Sequence, residues 1–585
     1  MYSDKHIVNL LTSLLVEKGV RKAVVCPGSR NVPLVHNFVE CPQIECFPVT
    51  DERSAAFYAL GLSLASGEAV VVCVTSGSAV LNAAPAVAEA YYRHVPLIVV
   101  SADRPAEWID RLDGQTLRQY GVLGNFVKRQ IDLSEIRKED RTAVDHAALS
   151  LNAVLNGCVG GEQGPVHINV HIDEPLFRFT ESILPQGVGM GSIAAGQSAT
   201  GLPEEMWQVV DGFVSAAVRL IVIGQISRHD AELDGIIRQL GTYYIVLNEP
   251  LASSCSVAFD KAVPCIGECL KDTGVDFLLS FGGTLVSKSL KKMLRSADIR
   301  QHWEVNEDGE AHDMFRQQTG VACCPAKTFL RALLEETCRR KPADDALSSK
   351  VRPCLESVGR VVDAFVPPYS QMMAVRELER RLCEEYGGTG GSGCGEASSG
   401  SCKASPGCEV HYANSMAVRL GCQYSTSRYV WCNRGVNGIE GSLSAAAGFS
   451  LATASAVFCV IGDLSFFYDQ NALWNAQLRG NFRVMLLNNG GGFIFNRLPG
   501  LDASHASMPY ISGTHAVTAE GISRQNGALY LSAHNEEEFC ALLPRFVAEP
   551  WQQPVVFEVF TCVEEDARAH QLFDDTVACV LGKGK

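Results

Sequence analysis

The sequence predicts an α/β protein built from three doubly wound parallel-sheet domains. Three observations predict it. The chain has 585 residues, well beyond the roughly 250–300 at which a single core stops growing. Its β-branched runs lack the polar alternation of half-exposed strands, as expected of strands buried on both faces. Each run ends in a polar or Gly-rich turn followed by an Ala/Leu-rich helical stretch, the rhythm of βαβ units.

The elements follow in order. MYSDKHIVNLLTSLLVEKGVRK places Ile7, Leu10, Leu11, Leu14 and Leu15 at helical spacing. It has no basic start leading into a continuous apolar run, and no stretch reaches the roughly 18 apolar residues of a membrane helix. Neither a signal peptide nor a membrane span is expected, and the location expected is cytoplasmic. KAVVCPGS, AVVVCVTSGSA and PLIVVSADRP are the strand-plus-turn units of a first domain over residues 1–185, and the Gly/Ala/Ser-rich stretch 187–205 reads as a linker. LIVIGQISR, YYIVLNEP and FLLSFGGTLVSK mark a second domain over 200–345, with a polar linker around 341–350. YVWCNRGVNGIEGS, ASAVFCVIGDLSF, FRVMLLNNGGG and PVVFEVFT are strand-like runs of a third domain over 365–585. Residues 387–408 form a low-complexity insertion whose Cys394, Cys402 and Cys408 lie near His411. Their spacing fits no paired C-x-x-C arrangement, which favours a flexible surface insertion over a metal site.

Composition narrows the function. At 47% hydrophobic and 20% charged residues, the chain is an ordinary globular protein. A net charge of −15 argues against nucleic acid, whose phosphates bind clustered Lys and Arg, but does not exclude an arginine-lined pocket for small anions. The 22 cysteines are scattered, several inside apolar strands (Cys26, Cys73, Cys459), and read as reduced thiols.

The chemistry concentrates after two strands of the third domain. Gly462-Asp463-Leu464-Ser465 ends one apolar run and Asn488-Asn489-Gly490-Gly491 ends the next, with Asp463 and Asn489 26 positions apart. That spacing fits strand, crossover helix and parallel strand, which sets the two turns side by side where open sheets bind ligands. A carboxylate, an amide oxygen and a backbone carbonyl there form a hard oxygen site suited to magnesium. The amides opening the helix after Asp463 suit diphosphate oxygens. This pattern resembles the thiamine-diphosphate enzyme superfamily, whose metal motif opens with GD and closes with NN. By that resemblance Asp463, Asn489 and the carbonyl of Gly491 hold Mg2+ or Mn2+, and Ser465, Ile494 and Phe495 contact the cofactor. The superfamily usually has glycine where Leu464 stands, which narrows the subfamily.

Glu52, in Thr50-Asp51-Glu52-Arg53-Ser54-Ala55, precedes an Ala-rich helix. Alone, it reads as a charge favourable to a helix N-terminus. The resemblance implies more: a catalytic glutamate that hydrogen-bonds the aminopyrimidine ring of the cofactor and promotes its deprotonation. It also implies that this glutamate and the diphosphate site come from different subunits of a homodimer or homotetramer.

Cys26-Pro27-Gly28-Ser29-Arg30, Ser101-Ala102-Asp103-Arg104-Pro105, and Asn433-Arg434-Gly435 through Gly438-Ile439-Glu440-Gly441 together resemble one family, the 2-succinyl-5-enolpyruvyl-6-hydroxy-3-cyclohexene-1-carboxylate synthases of menaquinone biosynthesis. The likeness spans the first and third domains, weakens in the second and fails in the insertion. It implies decarboxylation of 2-oxoglutarate and addition of the resulting carbanion to isochorismate. Arg30, Arg104, Gln115, Lys288, Ser415, Arg419 and Arg434 match substrate-contacting positions; guanidinium forks suit carboxylates. Ser415 and Arg419 are four apart, on one face if their segment is helical, and Ile439 corresponds to the apolar prop beneath the cofactor. Gly114 and Ser289 depart from the family's pattern around isochorismate. The alternative is a carboligase or 2-oxo acid decarboxylase of the acetolactate-synthase type, which needs neither Arg419 nor Arg434. A noncatalytic scaffold is disfavoured by Glu52 and Asp463, and dinucleotide binding through GGTGGSG by the lack of a preceding strand.

Overall fold

The computed structural model describes residues 1–160, 163–186, 202–342, 346–387, 407–492, 494 and 506–582. Three parallel sheets covered by helices carry the fold. The chain opens with the short strand β1 (Tyr2–Ser3). The first sheet uses β2 (Lys22–Val25), β3 (Glu45–Pro48), β4 (Val70–Val74), β5 (Leu97–Asp103), β6 (Arg129–Leu133) and β7 (Val166–His171) in the order β3-β2-β4-β5-β7-β6. β8 (Phe179–Glu181) returns to pair antiparallel with β1. Every residue of β4 and β5 is buried, which is why VVVCV and LIVVSAD show no alternation.

The second sheet, ordered β10-β9-β11-β12-β13, is made of β9 (Arg219–Ile223), β10 (Ile245–Asn248), β11 (Val275–Phe281), β12 (Ile299–Asn306) and β13 (Gly320–Cys323). The third, ordered β14-β15-β16-β18-β17, is made of β14 (Cys408–Tyr412), β15 (Ala456–Gly462), β16 (Phe482–Asn488), β17 (Leu529–Ala533) and β18 (Val555–Phe560). The sheets are not insulated from one another. Val70, Val72 and Phe57 share a core with Leu443, Ala446 and Leu486, and Leu278 and Phe259 share another with Val410 and Phe557. The third sheet is thereby fastened to both others, and the Glu52–Ser66 helix packs directly on the Ser442–Leu451 helix. No helix among the described residues is long and apolar enough to cross a membrane.

Three sequence expectations change. YVWCNRGVNGIEGS forms no strand; its one ladder contact is a bridge from Trp431 to His411. Past that bridge its polar backbone groups turn to side chains: the carbonyls of Asn433 and Gly438 accept from Asn414, and the amides of Gly435 and Val436 donate to Glu89. The cysteines are not all thiols, because Cys265 and Cys354 are bonded with their Cα atoms 6.8 Å apart. They sit on packed helices, Val263–Thr273 and Ala346–Ala364, a proximity that a separation of 89 residues hides. The second of these helices also begins inside the polar stretch read as a linker. Of the other predicted connections, 187–201 and 388–406, with Cys394 and Cys402, lie outside the described residues.

Candidate active site

Gly462 on β15 pairs with Leu487 on β16 in parallel register, so Asp463 and Asn489 leave neighbouring strand ends together. Asp463 begins the Asp463–Tyr468 helix. Its Oδ2 accepts the amides of Asn489 (3.2 Å) and Gly491 (2.9 Å), its Oδ1 accepts that of Leu464 (2.6 Å), and His515 Nε2 stands 3.5 Å from Oδ2. Burial pushes the Asp463 carboxyl above its ordinary value, opposed by these amides and by His515. A cation beside it would favour the ionised form that burial disfavours. Asn489 donates its Nδ2 to Asp566 Oδ2 at 2.8 Å, which leaves the amide oxygen on the opposite branch. A Cβ on Gly491 would lie 3.1 Å from the Ser512 carbonyl oxygen, so a side chain would crowd this turn. An all-oxygen donor set in such a turn fits a hard divalent ion. Leu464, in the position of the usual glycine, lies 3.5 Å from where a Cβ on Gly513 would stand. Ser465 donates its hydroxyl to the carbonyl of Ile439, bringing two of the expected cofactor contacts together. Ile494 is half-buried, and Phe495 lies outside the described residues.

The cations of the second and third sheets meet at two loops. Arg434 donates Nη1 to Asn414 Oδ1 (3.0 Å) and Nη2 to the Leu285 carbonyl (3.2 Å), while Thr284 Oγ1 donates to the Arg434 carbonyl (3.0 Å). Its Nε is buried and has no partner among the described residues. Lys288, exposed, opens the Lys288–Ser296 helix that Ser287 caps through its hydroxyl. Behind that cap, the buried Glu249 accepts the amides of Val286 and Ser287, each at 2.8 Å. Ser289 brings no positive charge beside Lys288: its hydroxyl, like that of Ser287, donates to Asp260.

Ser415 and Arg419 are arranged differently from the expectation. The helix is Met416–Tyr424, and Ser415 precedes it with φ +74, so the two residues do not share a helical face. The positive φ, costly for a non-glycine residue, turns the chain sharply between β14 and the helix. Arg419 lines a cavity of about 190 Å³ with Glu249, Asp260, Lys261, Ser287 and His570. Burial lowers its pKa, while Asp260 pulls it back up.

The first-sheet residues form a separate group. Glu52 is half-buried at the start of its helix, with Asp51 as N-cap, and Asn82 Nδ2 donates to its Oε2 at 3.1 Å. Arg30 is buried and engaged by the Ile172 carbonyl (2.9 Å) and Glu174 (3.2 Å). Arg104 pairs with Asp113 at 3.0 Å and keeps a buried Nε without a partner among the described residues. Gln115 is exposed at φ +57 and lies against Gly77. A Cβ at Gly114 would meet nothing within 4 Å, so this departure leaves open space. Among the described residues, no hydrogen bond or ion pair joins Arg30, Glu52, Arg104 or Gln115 to Asp463, Asn489, Arg419 or Arg434 within one chain. Sequence reasoning missed the supports of these side chains, namely Glu89, Glu249, Asn414, Asp566 and His515. Asn414 adjoins a recognised motif, but the others carry no local signal.

A family model described as "Thiamine pyrophosphate enzyme, N-terminal TPP binding domain" matches residues 5–129. The chain is 37% identical over 584 residues to a Bacteroides thetaiotaomicron protein, covering 97% of this chain and 98% of the relative. It is 38% identical over 577 residues to a Phocaeicola vulgatus protein, covering 97% of each, and 34% identical over 587 residues to one from Porphyromonas gingivalis, covering 97% and 96%. All three are named 2-succinyl-5-enolpyruvyl-6-hydroxy-3-cyclohexene-1-carboxylate synthase.

Proposed function

The chain belongs to the 2-succinyl-5-enolpyruvyl-6-hydroxy-3-cyclohexene-1-carboxylate synthases, thiamine-diphosphate-dependent transferases, and we propose that the residues described above carry that reaction. The substrates are 2-oxoglutarate and isochorismate, joined with loss of carbon dioxide. Thiamine diphosphate, when bound, supplies the electron sink that decarboxylation and carbon–carbon bond formation require. Asp463, Asn489 and the carbonyl of Gly491 would hold Mg2+ or Mn2+ against the diphosphate, with Ser465, Ile439, Ile494 and Phe495 around the cofactor.

The chain's own contribution is orientation and charge. Glu52 holds the proton shared with the cofactor's pyrimidine nitrogen, and Asn82 steadies that carboxylate. Arg434, Lys288 and Arg419 with Ser415 meet substrate carboxylates from the second and third sheets, and Arg30, Arg104 and Gln115 meet them from the first. The Nε groups of Arg104 and Arg434, buried and without a partner among the described residues, are donors that an incoming carboxylate satisfies. By the family resemblance, the reading includes a homodimer or homotetramer in which Glu52 of one subunit serves the diphosphate site of another, in the cytoplasm.

The observation that carries the assignment is likeness along 97% of the chain to proteins bearing one name. Purified protein supplied with thiamine diphosphate, Mg2+, 2-oxoglutarate and isochorismate is expected to consume isochorismate and release carbon dioxide. Turnover of pyruvate with no consumption of isochorismate would replace this reading with the acetolactate-synthase type.

A further inference from the structure

We propose that Asp566 is a positioning residue for the metal site: it fixes the side-chain amide of Asn489 so that its oxygen, not its nitrogen, faces the cation. The inference rests on the reading of Asn489 as a metal ligand and adds the group that makes it one.

Asn489 can present either end of its amide, and a cation accepts only the oxygen. Asp566 decides between them. It is buried, 2% exposed, and stands in the first turn of the Val563–Val580 helix. Its Oδ2 accepts Asn489 Nδ2 at 2.8 Å and Thr561 Oγ1 at 3.0 Å, and its Oδ1 accepts the amide of Gln371 at 2.8 Å. Donors from the end of β18 and from the start of the Gln371–Tyr386 helix therefore hold the carboxylate in place. An ionised carboxylate has no proton to give. Turning the Asn489 amide round would set its oxygen against Oδ2 in a buried site, two acceptors with nothing between them. The amide as placed, nitrogen toward Asp566, is the orientation that a carboxylate, an acceptor without a proton, favours. The main chain of Asn489 is fixed as well, because its N–H donates to Asp463 Oδ2 at 3.2 Å. Asn489 is thus held at the backbone by one expected ligand and at the side chain by Asp566, the outer-shell arrangement that orients metal ligands generally.

The test exchanges the polarity of this hydrogen bond without changing its size. Asp566→Asn offers an N–H in place of an acceptor, so the Asn489 amide can reverse and turn its nitrogen to the cation. With thiamine diphosphate present, the Kd for Mn2+, read from the EPR signal of the free ion, is expected to weaken about 10–100-fold. The thermal midpoint without metal should stay close to that of the unaltered protein. The double variant Asn489→Asp with Asp566→Asn restores a donor–acceptor pair and leaves one carboxylate oxygen for the metal, so it is expected to recover most of the affinity. A purely structural role for Asp566 predicts no such rescue. Asp566→Asn binding Mn2+ within about twofold of the unaltered protein overturns the proposal, and so does a swap that recovers nothing. Asn489→Ala separates this from the underlying reading: if it binds Mn2+ normally, Asn489 is not a ligand; if it loses Mn2+ while Asp566→Asn does not, the positioning role alone fails. Should Asp566→Asn not fold, Thr561→Val removes one anchor of Oδ2; weaker Mn2+ binding is expected and unchanged binding overturns the proposal.

Discussion

Gly61 and Ala445 meet backbone to backbone: a Cβ on Gly61 would stand 1.9 Å from the Ala445 carbonyl oxygen. The contact is reciprocal, since a Cβ on Gly448 would lie 2.3 Å from the Tyr58 carbonyl. The two helices that join the first and third sheets cross this closely because both carry glycine there. Gly61→Ala must push them apart and is expected to destabilise the protein by about 1–3 kcal/mol, measured by urea denaturation. Gly359→Ala, in a helix where a Cβ meets nothing within 4 Å, should be neutral or mildly stabilising.

Glu249 holds the turn from which Lys288 projects. Glu249→Ala leaves the amides of Val286 and Ser287 without their acceptor, at a cost on the order of 2–4 kcal/mol. The milder Glu249→Gln keeps one oxygen and should raise KM for the substrates by more than it lowers kcat. Steady-state kinetics beside a thermal midpoint separates these effects, and equal KM in variant and unaltered protein refutes the link.

Asp469 provides a pH signature. It is fully buried, which pushes its carboxyl from 3.8 up to about 7, opposed by the amide and hydroxyl of Ser444. The native state holds this proton more tightly than the unfolded chain does. The group's contribution is therefore complete below the unfolded value and is lost as pH rises through about 7. Asp469→Asn, which never ionises, should lose stability less steeply over that window, by on the order of 1 kcal/mol per pH unit, in melting curves collected from pH 4 to 8.

Glu52→Gln is expected to retain cofactor binding while lowering kcat about 10²–10⁴-fold. Exchange of the cofactor's thiazolium proton, followed by quenched-flow NMR, should slow in parallel. Undiminished exchange would show that Glu52 does not act on the cofactor.

The central strands of all three sheets were legible because burial on both faces writes an unbroken apolar run, as in β4 and β15. RQIDL in β6 and GVAC in β13 are edge strands, and half-exposed edges leave no such trace. The Asp463 and Asn489 turns were legible because their spacing reflects one strand–helix–strand unit. Their supports were not: Asp566 is 77 positions from Asn489, and Glu249 is 38 from Ser287, distances that only the packed fold closes. Residues 429–441 misled for a related reason. Their hydrophobic start resembles a strand, but Asn414 and Glu89, far away in sequence, take the backbone groups a ladder would need.

Glu89 belongs to the first sheet's layer, yet it grips the amides on either side of the Gly435–Val436 bond, next to Arg434. Arg434 in turn reaches the Leu285 carbonyl beside the second sheet. No layer can be exchanged for a cousin's without a matching partner at this junction. In recombination, natural or engineered, the three sheets should therefore travel as a block, and chimeras joined between them should need Glu89, Gly435 and the 284–287 turn from one parent.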